Sequence, residues 1–171
     1  MTATHDEAGR REAIERLSKH IKGIRFAMLT SVAADGGLRS RPMATQEMEA
    51  DGDLWFFTGA STSKIGEVER NPQVNLSFSD PDDNRYVSLS GAVEVVRDRQ
   101  KMAELWSPML KAWFPQGLDD PDLLLLKVTP EGAEYWDSPN SKMVQLVGLA
   151  KALTTGKRYE GGENEELDLK R

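Results

Sequence analysis

The chain predicts an antiparallel β-barrel of six or seven strands with peripheral helices, and three observations carry that prediction. Short apolar runs, several alternating with period two, recur through the middle of the chain. Turn residues separate them. Helical periodicity is confined to stretches before, between and after these runs, without the regular strand–helix alternation that a parallel sheet requires. The 171 residues suffice for one domain with its own core. We assign residues 1–153 to that domain and 154–171 to a polar C-terminal tail.

The elements follow in order. Thr4-His5-Asp6-Glu7 reads as a capping box. Ala13, Ile14, Leu17 and Ile21 then recur at helical spacing, and the helix ends near Lys22-Gly23. Phe26 to Ala33 is an apolar strand, and Ala34-Asp35-Gly36-Gly37 is a hairpin turn led by its Asp-Gly pair. Leu38 to Gln46 is the return strand. After Asp51-Gly52-Asp53, Leu54 to Thr58 is a third strand. Ser61 to Arg70 reads as a short helix with Ile65 and Val68 inward, stopped by Asn71-Pro72. Val74, Leu76 and Phe78 share one face of the next strand, and Val87, Leu89, Val93 and Val95 one face of the strand after it. Gly91, in mid-strand, marks a bulge or a tight barrel bend.

Asp98 to Trp106 is helical, and Ser107-Pro108 restarts the pattern with Ser as N-cap and Pro at the first helical position. Leu123 to Val128 and Ala133 to Trp136 read as a last hairpin turned at Pro130-Glu131-Gly132. Ser141 to Leu153 is a final helix, and from Thr154 the chain is polar and expected to be loosely held or laid across a partner.

Composition narrows the chemistry. A net charge of −6 lacks the basic footprint of a nucleic-acid binder. No run approaches a membrane span, and Met1 to Glu7 has no signal-peptide pattern; a soluble, cytoplasmic protein without nucleic-acid or membrane partners is expected. With no cysteine, disulfides, thiol nucleophiles and thiolate metal sites are excluded. The two histidines, His5 and His20, read as residues of a solvated helix face. No carboxylate spacing sets up a metal site, and no GxGxxG follows a strand. Redox chemistry here would need a bound cofactor to carry the electrons.

Three neighbouring segments stand out. In Leu38 to Gln46, Arg39, Arg41 and Met43 share one face, and Ser40, Pro42 and Ala44 the other. Pro42 suits an edge strand, since it cannot donate to a ladder. Its bland explanation is an edge with solvated arginines; the functional one is a basic face beside free backbone. Ser61-Thr62-Ser63-Lys64 lacks the glycine spacing of a Walker loop. It is either plain helix capping or a helix N-terminus whose amides, with Arg41 and Lys64, converge on a phosphate. Trp55, Phe56 and Phe57 fit a core. Trp106 and Trp113 lie on a helical stretch that need not face it, and can build an interface or wall a ring pocket.

The ordered set Met28-Leu29-Thr30-Ser31, Asp35-Gly36, Ser40-Arg41-Pro42-Met43, Leu54-Trp55-Phe56-Phe57-Thr58, Ser63-Lys64, Asn71 to Phe78, Gly91 and Tyr135-Trp136-Asp137 resembles the general stress protein branch of the pyridoxamine 5′-phosphate oxidase-like family, the FMN-binding split barrels. The likeness spans roughly Phe26 to Leu153. It implies a split barrel and a homodimer with FMN, or FAD in its place, at the subunit interface. Carried over, it implies Arg41, Lys64 and Ser63 at the phosphate, Pro42 and Met43 along the isoalloxazine ring, and Phe57 and Thr58 at ribityl or ring edge. It places Trp106 and Trp136 as aromatic contacts offered by the second subunit. The implied function is a flavin-dependent oxidoreductase or flavin-binding stress protein with an unassigned small-molecule substrate. Pyridoxamine or pyridoxine 5′-phosphate oxidase activity and a non-catalytic flavin-binding module are the alternatives. The chain departs from the oxidases in its C-terminal segment: Glu134-Tyr135-Trp136-Asp137 gives only a fragment of their Trp/Arg-rich closure, and the arginines after it are Arg158 and Arg171.

Overall fold

The computed structural model describes residues 3–138, 142–156 and 162–170. The N-terminal helix α1 (Ala3–Ile21) leads into strands β1 (Phe26–Val32), β2 (Leu38–Ala44) and β3 (Leu54–Gly59). Helix α2 (Ser63–Arg70), strands β4 (Gln73–Asp80) and β5 (Arg85–Val96) and helix α3 (Arg99–Leu105) follow. Two 3-10 turns (Pro108–Ala112, Gly117–Asp119), strand β6 (Leu123–Asp137), helix α4 (Lys142–Thr155) and strand β7 (Glu163–Asp168) complete the order. Every pairing is antiparallel. The sheet runs β2-β1-β4-β5-β6-β3, with β7 beside the second half of β6. Its end strands β2 and β3 come into contact as the sheet curls but form no ladder. The barrel is therefore split along a seam between β2 and β3.

Local chemistry accounts for most elements. Ala13, Ile14, Leu17 and Ile21 of α1 are buried against the barrel, and Gly23 ends the helix in the left-handed region. Gly36 supplies the positive φ of the β1–β2 turn, and the Asp35 carboxylate accepts the Gly37 N–H. The Asp98 carboxylate caps α3 by accepting from Gln100 and Lys101 N–H. The segment after Pro108 is a 3-10 turn rather than an α-helix, and the Ser107 side chain caps nothing. Of the predicted capping box at Thr4 to Glu7, residues 4–6 lie outside the described side chains and Glu7 is exposed.

The main core lies inside the barrel, around Leu29, Phe56, Leu76, Leu89 and Leu126. A second cluster lies outside β3 and β6, where α3 and the 3-10 turns cover Trp55, Phe57, Leu123 and Leu125. All six residues of β3 are buried as a result. Two predictions are corrected by β6 and β7. Pro130-Glu131-Gly132 does not turn a hairpin: β6 runs unbroken from Leu123 to Asp137, and those residues form a bulge opposite Ser90 and Gly91. The polar tail, expected to be loosely held or laid across a partner, instead supplies β7 of this chain's own sheet, and it brings Leu167 and Leu169 into the main core. One apolar side chain every second residue suffices to dock a strand, so its acidic composition was no obstacle.

A clasp joins α1, β6 and β7. The Tyr135 ring stacks on His20 at 3.8 Å, and its hydroxyl donates to Glu165 at 2.7 Å. Arg16 also donates to Glu165, at 2.6 Å. The bond to the Glu165 carboxylate, helped by burial, pushes the Tyr135 hydroxyl up to about 12. Because the folded value lies above that of an unfolded tyrosine, its contribution to stability is complete below pH of about 10 and is lost as pH rises through about 12. An ultraviolet titration of the native protein should show one phenolate forming near the upper value and missing in Tyr135→Phe. Simultaneous titration of every tyrosine near 10 would show that the bond is not made.

Candidate functional site

Among the described residues, the split between β2 and β3 leaves one side of β2 without a strand partner. Thr45 N–H donates to Arg25 C=O and Ala33 N–H to Gly37 C=O. By alternation, the Arg39, Arg41 and Met43 backbones face β1, while Ser40, Pro42 and Ala44 face the open edge. Pro42 stands where its missing N–H takes no bond from the sheet.

Arg41 reaches the other way, under the barrel end that α2 covers. Its Nη1 donates to Ser31 Oγ at 2.7 Å and its Nη2 to Glu67 Oε2 at 2.7 Å; Ser31 Oγ donates to the same Glu67 oxygen at 2.6 Å. Arg39 adds a longer approach to Glu67, at 3.7 Å. Ser31 and then Arg41 hold the Glu67 carboxyl below the usual carboxylate range against the opposing effect of burial. Lys64, in the first turn of α2, donates to Thr58 Oγ1 at 2.8 Å and to Thr62 Oγ1 at 3.3 Å. Burial, and then the charge of Arg41, push the Lys64 ammonium below the ordinary lysine range, which Glu67 partly offsets. Glu67, which Arg41 binds, and Lys64 lie one turn apart on α2. Two guanidiniums share the one Glu67 carboxylate, and Lys64 adds a further cation one turn away on α2.

The sequence-predicted residues divide. Thr58 and Lys64 are bonded at the start of α2, which Ser63 opens, Arg41 is bonded to Glu67 one turn further along the same helix, and Pro42 lies on the open edge of β2. The Met43 side chain is in the main core and its backbone lies in the ladder, so it supports the strand from beneath and is not exposed along the edge. Phe57 points to the opposite face of β3 from Thr58, where its ring meets Trp106 edge-on at 5.6 Å in the second cluster. Trp106 is therefore tied to Phe57 and not to the cations. Trp136 is exposed on the outer face of β6, opposite Tyr86 and four strands from β2 in the sheet.

The amides at the helix start are fewer than expected. Asp122 Oδ1 accepts the Ser61 N–H and its Oδ2 the Ser61 hydroxyl, both at 2.8 Å, and Thr62 N–H donates to Gly59 C=O. The Ser63 and Lys64 N–H groups remain without a protein acceptor among the described residues. Sequence reasoning missed Glu67 and Ser31. The signal for Glu67 was its place between Ile65 and Val68 on the inward arc of α2, where a solvated carboxylate is not expected. Among the described residues, no group of histidines and carboxylates could hold a metal ion, and no helix is long and apolar enough to cross a membrane.

Comparison with known proteins agrees with this architecture. Residues 12–160 match the family described as pyridoxamine 5′-phosphate oxidase like. Protein bli-3 of Neurospora crassa is 29% identical over 156 residues, covering 85% of this chain and 75% of that one. A crystal structure classed as general stress protein 26, from Jannaschia sp. CCS1, superposes with a TM-score of 0.73 at 30% identity, covering 90% of this chain and 96% of that chain. The general stress FMN/FAD binding protein of Xanthomonas citri superposes at 0.64 with 30% identity, covering 74% of this chain and 89% of its own. With the seam, the open β2 edge and the match across most of its length, the chain belongs to the pyridoxamine 5′-phosphate oxidase-like family.

Proposed function

We propose that this protein binds a flavin, FMN or FAD, along the open seam, in a homodimer, and that it is a flavin-dependent oxidoreductase of the general stress type. What supports the reading is the placement of two cations on one helix end, Arg41 bonded to Glu67 of α2 and Lys64 in the first turn of that helix beside the free Ser63 and Lys64 amides. A phosphate monoester fits this set. Lys64 has hydroxyl partners but no carboxylate within ion-pair distance among the described residues, and a dianion would offset its repulsion from Arg41. Arg41, Lys64 and Ser63 would hold the phosphate, and Thr58 would orient the ammonium. Beside them, the Pro42 carbonyl and the edge amides of Ser40 and Ala44 would bond to the ring. The flavin supplies the electron-transfer chemistry; these residues bind and orient it. The Xanthomonas citri relative, described as FMN/FAD binding, supports the choice of ligand.

Phe26, Met28, Tyr86 and Trp136 remain exposed on the outer sheet face, apolar area that a second copy would cover. Trp136 would then approach a flavin only from the partner subunit. Sedimentation with detection near 450 nm tests both parts. A yellow boundary at twice the chain mass is expected after incubation with FMN or FAD. A colourless boundary would sink the flavin reading, and a yellow monomer the shared groove.

A further inference from the structure

Buried polar side chains are few among the described residues: Ser31, Asp53, Thr58 and Glu67. Three of the four sit at the barrel end that α2 covers, Ser31 bonded to Glu67 and Thr58 to Lys64. Burying such groups is unfavourable unless they are bonded, so their concentration at one place calls for a role. Ser31, Arg41 and Glu67 close a triangle of three short bonds, 2.6 to 2.7 Å. A guanidinium has five N–H donors. Two of those on Arg41 are taken within the triangle, one from each terminal nitrogen, and three lie outside it.

The geometry points to Glu67, closed by Ser31, as the positioning residue of the phosphate site. It pins the Arg41 guanidinium so that the remaining donors are held beside Lys64, and the site thereby distinguishes a phosphate monoester from the same molecule without its phosphate. This inference rests on the flavin reading above. It also opposes simple electrostatics: a carboxylate beside an anion site, acting through charge alone, would weaken the anion.

The two effects separate in a calorimetric cycle on the parent protein, Glu67→Gln, Arg41→Ala and the double variant, each titrated with FMN and with riboflavin, which lacks the phosphate. Glu67→Gln should weaken FMN about tenfold, the scale of one charge-assisted hydrogen bond, and leave riboflavin within about twofold. Added to Arg41→Ala, it should change FMN affinity by less than about twofold, because the group it positions has gone. Unchanged riboflavin affinity shows that the fold and ring site survive. If Glu67→Gln does not fold, Ser31→Ala, which removes one hydroxyl of the triangle, should give the same phosphate-selective loss at smaller amplitude. FMN affinity that is unchanged or tighter in Glu67→Gln would overturn the positioning role while leaving the flavin reading intact. Failure of the parent protein to bind FMN would overturn both.

Discussion

An Arg41→Ala protein is expected to be less stable than the parent by about 3 kcal/mol, and to bind FMN roughly ten- to hundredfold more weakly. Both losses come from one side chain that faces two ways. Toward the interior, Arg41 is the closest countercharge of Glu67, whose side chain is only 7% exposed. Removing it leaves a buried carboxylate with the Ser31 hydroxyl and a distant Arg39. The low end of the range for breaking a buried pair applies, because the Arg41 side chain itself keeps 19% of its surface. Toward the seam, its remaining donors are the proposed phosphate contacts. Urea denaturation reads the first loss and calorimetry with FMN the second. A well-folded Arg41→Ala protein with parental FMN affinity would remove Arg41 from the site. Combining Arg41→Ala with Glu67→Gln should recover part of the stability without restoring FMN binding, because it removes the orphaned charge but supplies no donor.

Gly91→Ala should destabilise the fold by about 3 kcal/mol or more, at or beyond the upper end of overpacking effects. The cause is proximity. A Cβ at Gly91 would stand 2.3 Å from the Thr129 carbonyl oxygen and 3.2 Å from Pro130 Cα. Both are backbone atoms of the neighbouring strand and cannot rotate away. The close approach arises at the bulge, where Glu131 is left over between the pairs Ser90↔Gly132 and Gly91↔Pro130. Gly132→Ala is the control: its Cβ would meet only the Leu167 carbonyl, at 3.6 Å, and a change within about 1 kcal/mol is expected for a substitution without a clash. Equal midpoints in urea for the two variants would refute the steric account. The β5–β6 pairing spans the barrel, so a loss at Gly91 should appear as a shift of the whole cooperative transition.

Much of the architecture is legible in the amino-acid sequence. Turn residues placed five of the seven strands, because glycine and Asx preferences act over two to four residues. Arg41 and Lys64 were legible as a pair because both flank the short, strongly apolar strand that sets the seam. The same logic misled at Pro130-Glu131-Gly132. Those residues satisfy a turn locally, but the bulge opposite Gly91 accommodates them within one strand. The acidic run Glu163–Asp168 hid β7 for a related reason: its docking depends on Leu167 and Leu169 finding the core, which composition does not report.

By itself the amino-acid sequence determined the first five strands and the helices α1 to α3, where Gly91 had to be, and which cations could meet an anion, since each of these follows from periodicity, turn chemistry or residue type over short distances. Only the tertiary structure decided that β2 and β3 stop short of pairing, that Met43 turns inward, and that Glu67 closes on Arg41 across 26 positions. Those outcomes depend on curling the sheet and laying α2 over its end. The resulting partners are fixed by packing between elements far apart in the chain, which no local pattern encodes.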